Sequence, residues 1–338
     1  SPPSPPRTLH QPPVQNIWTG GSFCTLGTIQ IGLQNAPTAR SNSISFALRI
    51  NRLPGNPILS PDMDERMGNN LNGPSAIRVP DWINNPLGKY YLYFAHHDGR
   101  YIRLAYADEP AGPWRIYTPG TISLEQSHFE GHIASPDVHV DEETNLIRMY
   151  FHGSNTRSGA GGAQFSRVAL SSDGISFNAK AEPLGNPYWR VFCWGGFHYA
   201  IGMPGVFYRS RDGVSGFEKG PTLFSPNMRH SAVDVRDDRL MVYFTDVGDS
   251  PERIKLSTIE LTPSWDEWEA SKPVNILKPE LQWEGAEEPL KPSERGLVHG
   301  AVNQLRDPAL LRDYDKTYLF YSVAGESGIA IAEVKYYS

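Results

Sequence analysis

The sequence predicts an all-β protein that forms a single five-bladed β-propeller. Short β-rich runs are separated by glycine, proline, asparagine and aspartate, which is typical of all-β proteins. Helical periodicity is almost absent, and only residues 264–272, SWDEWEASK, look locally helical. The same strand pattern then returns along the chain at intervals of about 45 to 65 residues, which is the size of a propeller blade.

Five repeat units fill residues 73–338. Each unit has an apolar strand, a tight turn that contains aspartate, an aromatic strand, a polar tip and a further strand. The first unit consists of GPSAIRVPDW, KYYLYFAHHDG and RYIRLAYAD, and the second of SPDVHVDEETN, LIRMYFHGSNT and AQFSRVALSSDG. The third, WRVFCWGGFHYAIGMPGVFYRSRDG, is divergent. The fourth consists of SAVDVRDD, RLMVYFTDVGD and ERIKLSTIEL, and the last of DPALLRDYD, KTYLFYSVAGE and GIAIAEVKYY.

The segment before the first unit is predicted to close the ring. Residues 43–50, SISFALRI, supply an outer strand, because closure removes sheet edges that would otherwise pair between molecules. Residues 1–42 are therefore predicted to form a proline-rich lead and N-terminal extension, and residues 43–338 the catalytic propeller domain. A β-sandwich is the main alternative fold, but it explains the repetition less well.

Composition excludes several functional classes. The chain has 338 residues and a formal charge of −6, and it shows no basic cluster of the kind that nucleic-acid binding requires. No stretch of about 18 apolar residues is present, so we predict no membrane span. The lead SPPSPPRTLHQPP lacks a signal-peptide pattern, and we interpret it as a remnant of signal removal in a secreted or periplasmic protein. Cys24 and Cys193 are too few for a disulfide framework and form either one bridge or two buried thiols. The oligomeric state stays open.

Three motifs carry a resemblance to a known superfamily. They are SPDVHVD, RDPALLRDYDKTYLFYS and HHDGRYIRLAYADEPAGPW. In these motifs, and over most of its length, the chain resembles the five-bladed β-propeller glycosidases of the arabinanase, xylosidase and invertase type. The resemblance implies a carbohydrate-active enzyme that cleaves glycosidic bonds of a plant, algal or microbial polysaccharide or oligosaccharide. The predicted partner is this carbohydrate substrate, with no nucleic acid and no membrane.

Histidines converge on one face of the predicted ring. In a propeller, the segments that lead into the innermost strands open on the same face as the tips between the second and third strands. Six of the ten histidines lie in these segments and tips, and histidine titrates near neutral pH, so we predict a polar, protonatable pocket there. These six are His96, His97, His132, His152, His230 and His299.

The sequence does not supply all the catalytic carboxyl groups that a glycosidase of this type is expected to have. Glycosidases usually use two carboxyl groups, and the resemblance implies an aspartate on the first blade, an orienting aspartate on the second and a glutamate acid on the third. Asp137 matches the second position, but the first blade offers Asn72 and Ser75, and the third offers no glutamate near its inner strand. The leading hypothesis is therefore a glycoside hydrolase whose acid and base groups are drawn from Asp137, Asp234, Asp246 and the histidines.

The predicted site combines these groups. Strand alternation places Asp137 and His139 on the same side near the channel mouth, and the resemblance implies that Asp137 orients His132 or His152. The predicted catalytic residues are Asp137, His132, His152, His97, His230 and Asp246. The predicted substrate-binding residues are His96, Asp98, Asn72, Arg229, His299, Arg306 and Trp194.

Two other functions remain open. A polysaccharide lyase would use histidine as base or acid beside a uronate carboxylate, which Arg229 and Arg306 would bind bidentately. The histidine-rich face somewhat resembles that of propeller enzymes acting on rhamnose–glucuronate linkages. A non-catalytic sugar-binding propeller would instead use aromatic platforms, for which Trp18, Trp82, Trp189 and Trp194 are candidates.

The sequence requires no cofactor. His132, His230 and His299 are predicted to approach the propeller axis, where three histidines can hold a transition metal. The resemblance also implies that calcium or another cation can lie on the axis, and its identity stays open.

Overall fold

The computed structural model describes residues 29–30, 47–97, 99–156 and 163–337. In this part of the chain the regular structure is β-strand, interrupted by five single turns of 3-10 helix, and α-helix is absent. The segment predicted to be locally helical contains only one such turn. No helix in the described ranges is long and apolar enough to cross a membrane. The 3-10 turns are Pro61–Met63, Glu65–Met67, Leu124–Gln126, Trp265–Glu267 and Gln282–Glu284.

Five antiparallel sheets form the blades, which confirms the predicted five-bladed β-propeller. The chain first contributes β1 (Ile29–Gln30) and β2 (Ala47–Arg52). Blade one consists of β3 (Asn72–Arg78), β4 (Tyr90–Ala95), β5 (Arg103–Ala107) and β6 (Arg115–Tyr117). Blade two consists of β7 (Ile133–Asp141), β8 (Leu146–Ser154), β9 (Gln164–Ser171) and β10 (Asn178–Ala179). Blade three consists of β11 (Arg190–Trp194), β12 (Phe197–Gly202), β13 (Val206–Ser210) and β14 (Glu218–Thr222).

Blade four consists of β15 (Met228–Arg236), β16 (Arg239–Asp246), β17 (Ile254–Glu260) and β18 (Val274–Leu277). Blade five combines both ends of the described chain. Its inner strands are β19 (Arg306–Asp313), β20 (Lys316–Val323) and β21 (Gly328–Tyr337), and β2 pairs with β21 so that Ala47 lies opposite Tyr337. Of the segment predicted to close the ring, residues 43–46 lie outside the described residues, as does Cys24; Cys193 is exposed on β11.

The aromatic second strands hold neighbouring blades together. All six residues of β4 are buried, because each blade is covered by another blade on both faces. Burial of one such aromatic side chain stabilises the fold by about 1.5–3 kcal/mol. The tyrosine hydroxyls find acceptors in the next blade, since Tyr93 donates to the Gly174 carbonyl at 2.7 Å and Tyr150 to the Gly213 carbonyl at 2.6 Å. The recurring tyrosine therefore both fills the core and fixes the angle between blades.

In each blade, one residue near or just before the start of the innermost strand has a left-handed backbone conformation. The register of the innermost strand shifts at this point in blades one, two, four and five. Such a bulge bends the strand and re-aims side chains, and positive φ in a non-glycine residue stores strain that is common at functional sites. Only blade one has glycine here, and a Cβ on it would lie 2.8 Å from the Ser135 Cα. The five residues are Gly73 (φ 57°), Ser135 (49°), Tyr188 (65°), His230 (47°) and Asp307 (50°).

Candidate active site

The bulged ends of the inner strands surround a cavity of about 440 Å³, which we call the histidine cavity. The bulges bring residues of β3, β7, β15 and the segment before β11 to its wall, and the tips of blades one and two add further side chains. Its volume lies in the range of small-molecule binding pockets. It is lined by Asn72, His97, His132, Ala134, Ser135, His152, Gln164, Pro187, Tyr188, Met203, Arg229, His230, Arg295, Gly296 and Glu326.

Six predicted site residues therefore meet in one place. Four of the six histidines predicted to share one pocket line it, together with Asn72 and Arg229. The rings of His132 and His152 meet edge to face with centroids 5.9 Å apart. The structure thus brings these six residues to one pocket, and their catalytic and binding roles remain predictions.

Other predicted site residues lie elsewhere. His299 lines a neighbouring cavity that shares only Arg295 with the histidine cavity. His96 is not among the lining residues, and Asp98 lies outside the described residues. Asp246 forms an ion pair with Lys255 at 2.9 Å. His299, His96 and Asp246 therefore do not line the histidine cavity as predicted, whereas the placement of Asp98 stays a prediction.

Trp194, which was predicted to bind substrate, does not line the histidine cavity. It ends β11, and its indole N–H donates to Asp238 at 3.0 Å in the turn between β15 and β16. Trp189 is fully buried in blade packing, and Trp18 lies outside the described residues. Trp194 and Trp189 therefore do not form sugar platforms in the histidine cavity.

Asp137 contradicts the prediction that it lies with the histidines. It lines a second cavity of about 400 Å³ at the other end of the inner strands, which we call the far-end cavity. Asp137 comes two residues after the bulge at Ser135, so the strand has already advanced along the channel, away from the histidine cavity. The far-end cavity is lined by residues 75–81, 137–140, 190–191, 232–233 and 309–312 and by Glu142.

The predicted neighbour of Asp137 is present. His139 Nε2 lies 2.7 Å from Asp137 Oδ2, and the Val191 N–H donates to the same oxygen at 2.7 Å. Burial alone would raise the pKa of Asp137, but His139, Arg190 and the Val191 N–H together lower it. Asp137 is therefore an ionised, well-bonded carboxylate that ties blade two to blade three.

Three residues that sequence reasoning did not nominate are central to the histidine cavity. The Tyr188 ring lies between His152 and His230, with centroid distances of 5.1 Å and 4.8 Å. Its hydroxyl donates a short hydrogen bond to Asp307 Oδ1. His230 Nδ1 lies 3.5 Å from the same oxygen, without hydrogen-bonding geometry. Asp307 is fully buried behind the wall, and Glu326 lines the cavity directly.

A network of buried charges surrounds this centre. Arg229 donates to both oxygens of Glu252, with Nε 3.0 Å from Oε1. Arg306 is fully buried and lies 3.2 Å from both Glu252 and Glu326. Glu326 also meets His97 Nδ1 at 3.3 Å. Because these arginines already neutralise protein carboxylates, their charge is largely committed inside the protein.

The pKa values of Asp307 and Glu326 are shifted in opposite directions. Burial and the charge of Glu326 raise the pKa of Asp307 above its usual value. For Glu326, burial is outweighed by His97, Arg306 and Asn70, which lower its pKa to about 2. Burial, together with nearby positive groups, lowers the pKa of His152 and His230 well below 6.5. His152 and His230 are therefore neutral, Glu326 is ionised, and Asp307 retains its proton more readily than an ordinary aspartate.

Several buried polar atoms around the cavity lack a hydrogen-bond partner among the described residues. Buried polar groups are nearly always bonded, so such atoms indicate a position for a ligand or water. Most of them are acceptors or neutral imidazole nitrogens, which suit the hydroxyl groups of a sugar. Those on the cavity lining are Asn72 Oδ1, His152 Nδ1 and His230 Nδ1, and Asp307 Oδ2 lies behind the lining.

The predicted metal site does not fit. His299 is separated from His132 and His230, and the described residues contain no group of three or more His, Cys, Asp or Glu that could hold a metal ion. Near the axis, Arg190 donates to the carbonyls of Ser231 at 2.8 Å and Pro136 at 3.0 Å. Its guanidinium places a positive charge beside carbonyls that would otherwise attract a cation. We therefore derive no step through a metal.

The repeat pattern could have identified two of the three residues that the sequence analysis missed, Asp307 and Glu326. Asp307-Pro308 begins the fifth unit as Ser135-Pro136 begins the second and Gly73-Pro74 the first, so alignment on the proline places Asp307 at the cavity. Glu326 lies in the tip SVAGES of the same face. Tyr188 lies immediately before the divergent third unit, where no sequence signal marks it.

Comparison with known proteins identifies relatives of the chain. No known family profile matches it. It is 36% identical over 327 residues to "Uncharacterized protein R118" of Acanthamoeba polyphaga mimivirus, and the match covers 86% of this chain and 91% of the viral protein. The chain belongs to the family of this mimivirus protein.

Solved structures show that this chain has the fold of glycosidase propellers. A structure from the study of the GH130 family of mannoside phosphorylases is similar with a TM-score of 0.62 at 13% identity, covering 89% of this chain and 96% of that one. A putative glycosidase from Bacteroides thetaiotaomicron gives 0.61 at 14%, covering 84% and 96%. A GH43_1 enzyme from Xanthomonas citri gives 0.54 at 14%, covering 80% and 89%. The resemblance seen in the sequence motifs is thus confirmed at the level of the fold.

Proposed function

We propose that this protein is a carbohydrate-active enzyme that hydrolyses glycosidic bonds of a polysaccharide or oligosaccharide in the histidine cavity. One observation carries the proposal: the buried carboxyl of Asp307 is bonded to Tyr188 on the cavity wall, and the same wall carries the ionised Glu326. Carboxyl groups with opposite pKa shifts beside one cavity are the arrangement that acid–base catalysis requires. The fold shared with GH43 and GH130 enzymes supports it.

The proposed roles follow from the positions of these groups. Glycoside hydrolysis passes through a transition state with positive charge on the sugar, which a carboxylate stabilises. Glu326 is ionised and lines the cavity, so it supplies that negative charge. Asp307 does not reach the cavity itself, but it is bonded to the Tyr188 hydroxyl. In the structure this hydroxyl donates to Asp307, so the acid step reverses the bond: Tyr188 turns its hydroxyl to the leaving oxygen and gives up its proton. The protonated Asp307 then donates its own proton to the Tyr188 oxygen and is left as a carboxylate.

Water then requires a base. His152 and His230 are neutral and flank Tyr188, so either imidazole can accept the proton of an attacking water. His97 belongs to the other side of the site, where it faces Glu326. The histidines thus replace the second acid–base carboxylate that the sequence did not offer at the expected blade positions.

The lyase alternative receives less support from the geometry. Elimination beside a uronate requires positive charge on the substrate carboxylate, but Arg229 and Arg306 are bonded to Glu252 and Glu326. The GH43_1 enzyme from Xanthomonas citri, which has a similar fold, was crystallised with xylose and with xylotriose, which are neutral sugars. We therefore propose a neutral saccharide as substrate, no cofactor requirement, and action outside the cytoplasm.

A two-channel screen tests the proposal. Purified protein is incubated with neutral and uronate-containing polysaccharides, and the products are measured as reducing ends and as ultraviolet absorbance of an unsaturated sugar. Reducing ends without new absorbance support hydrolysis. New absorbance supports the lyase, and the absence of any product across the panel supports a non-catalytic sugar-binding propeller; either result contradicts the proposal. The matched control is Asp307→Asn, which removes the proton donor and keeps the shape.

A further inference from the structure

The far-end cavity is a second concave site at the opposite mouth of the channel. Its volume of about 400 Å³ is close to that of the histidine cavity, and it lies in the range of ligand pockets. Its polar groups include Asp137, His139 and Arg312. None of these takes part in the proposed reaction, so the cavity needs an explanation of its own.

Asp137, Arg312 and Arg78, which line this cavity, are already bound to oppositely charged or titratable partners. Asp137 is bonded to His139 at 2.7 Å. Arg312 lies 2.8 Å from Asp234, and Arg78 lies 2.9 Å from Asp313. A charged ligand would have to displace these partners, whereas a hydroxyl group both donates and accepts and can bind beside them. The lining therefore favours a neutral, hydroxyl-rich ligand.

Aromatic side chains stand at the rim on neighbouring blades. Tyr314 is 84% exposed in the turn between β19 and β20, and the guanidinium of Arg78 lies 4.5 Å from the centre of its ring. Trp82, in the loop after β3, donates its indole N–H to Glu142 Oε2 at 3.0 Å. Arg78 and Glu142 both line the cavity. Tyr314 and Trp82 are thus tied to lining residues rather than scattered singly over the surface.

We propose that the far-end cavity is a second, non-catalytic carbohydrate-binding site that takes a neutral sugar chain. Tyr314 stacks against a sugar face at the rim, with Trp82 flanking it on blade one. The Asp137–His139 pair and Arg312 bind hydroxyl groups inside. The site lies at the other end of the channel from Tyr188 and Glu326, so it holds a polymer on the enzyme without entering the reaction.

Affinity electrophoresis tests this site without requiring turnover. The protein is run through native gels that contain arabinoxylan, yeast mannan or dextran, and its retardation gives an apparent dissociation constant. We expect at least one polymer to retard the unaltered protein, and Tyr314→Ala to weaken that binding about fivefold, the effect of losing one stacking contact. Trp82→Ala is a second variant, and thermal unfolding shows that each variant is folded.

Two controls locate the binding. Tyr337 is also an exposed tyrosine but lies on β21, so Tyr337→Ala should be retarded like the unaltered protein. Asp307→Asn alters only the histidine cavity and should also keep its retardation. Full retardation of Tyr314→Ala, or no retardation of the unaltered protein by any of the three polymers, overturns the proposal. Failure of the proposed hydrolysis would appear in the product screen and would leave this binding result unchanged.

Discussion

The two ends of the central channel are formed by the same strands but differ in whether their buried polar groups have partners. At the histidine cavity, Asp307 and His152 are buried and keep polar atoms without a partner among the described residues. At the far-end cavity, Asp137 and Arg312 are bonded to His139 and Asp234. Unsatisfied buried groups cost stability and are retained where chemistry uses them, whereas satisfied pairs hold structure.

The bulge produces this difference within two residues. In blade two, Ser135 carries the left-handed backbone and faces the histidine cavity, while Asp137 already belongs to the far end. In blade five the carboxylate occupies the bulge itself, as Asp307. An aspartate in a propeller strand therefore serves different purposes at positions two residues apart. Mutations at the two ends should separate catalysis from stability.

The largest expected effect concerns the histidine cavity. Asp307→Asn keeps the shape of the side chain but removes the proton that, in the proposed relay, replaces the one Tyr188 gives to the leaving group. Loss of acid–base assistance lowers rates by roughly 10²–10⁴-fold, so we expect turnover of the identified substrate to fall by about a thousandfold. The melting temperature should change little, since the amide still accepts the Tyr188 hydroxyl bond. Full activity in a folded variant would remove Asp307 from the mechanism.

The buried charge network gives the next largest effect. Arg306→Met removes the cation that lies between Glu252 and Glu326 and leaves two buried carboxylates without it. Removal of one partner from a buried ion pair costs about 3–5 kcal/mol, and we expect the free energy of unfolding in urea to fall by that amount. The matched control is Arg312→Met, whose side chain is half-exposed, and its loss should be within about 1 kcal/mol.

Asp137→Asn should lower stability and leave turnover nearly unchanged, whereas Asp307→Asn should lower turnover and leave stability nearly unchanged. Asp137 binds His139 and the Val191 N–H between two blades. Loss of charge-assisted hydrogen bonds should lower the free energy of unfolding by about 1–3 kcal/mol, while turnover changes less than about threefold, because the residue lies outside the histidine cavity. A large loss of turnover at unchanged stability would restore the role that the sequence predicted for Asp137.

The sequence predicted the ring better than the site, for a physical reason. Blade strands are specified by local patterns, such as the buried aromatic run of β4, and five similar runs are enough to predict closure. Side-chain direction at the channel depends on the bulge, which is not visible in a strand pattern. The positions of His97, His152 and His230 were predictable because repeat position determines the end of the channel. Asp137 was not, because one inserted residue changes which mouth a side chain faces.

Tyr188 shows a second limit. It lies immediately before the divergent third unit, and its importance comes from contacts with Asp307, which is 119 residues away along the chain. Such a pair is created by ring closure and not by local sequence. The sequence therefore indicated a protonatable pocket without indicating which group holds the proton.

The smallest expected effect is a change in the pH dependence of stability. Folding keeps His152 neutral, since burial and then His132, His97 and Arg190 lower its pKa well below 6.5. The unfolded chain binds a proton at this residue once the pH falls below about 6.5. Stability is therefore present above that pH and is lost as the pH falls, by up to about 1.4 kcal/mol per pH unit for each such histidine.

His152→Gln removes this proton from the unfolded state. Between about pH 6 and about pH 5 the free energy of unfolding of the variant should fall by about 1 kcal/mol less than that of the unaltered protein, and above about pH 7.5 the two curves should run parallel. Urea unfolding at a series of pH values measures both. The comparison cancels the opposite contribution of Asp307, whose raised pKa is present in both proteins. Equal slopes at low pH would mean that His152 is protonated in the folded state, and a neutral base at this position would then have to be His230 alone.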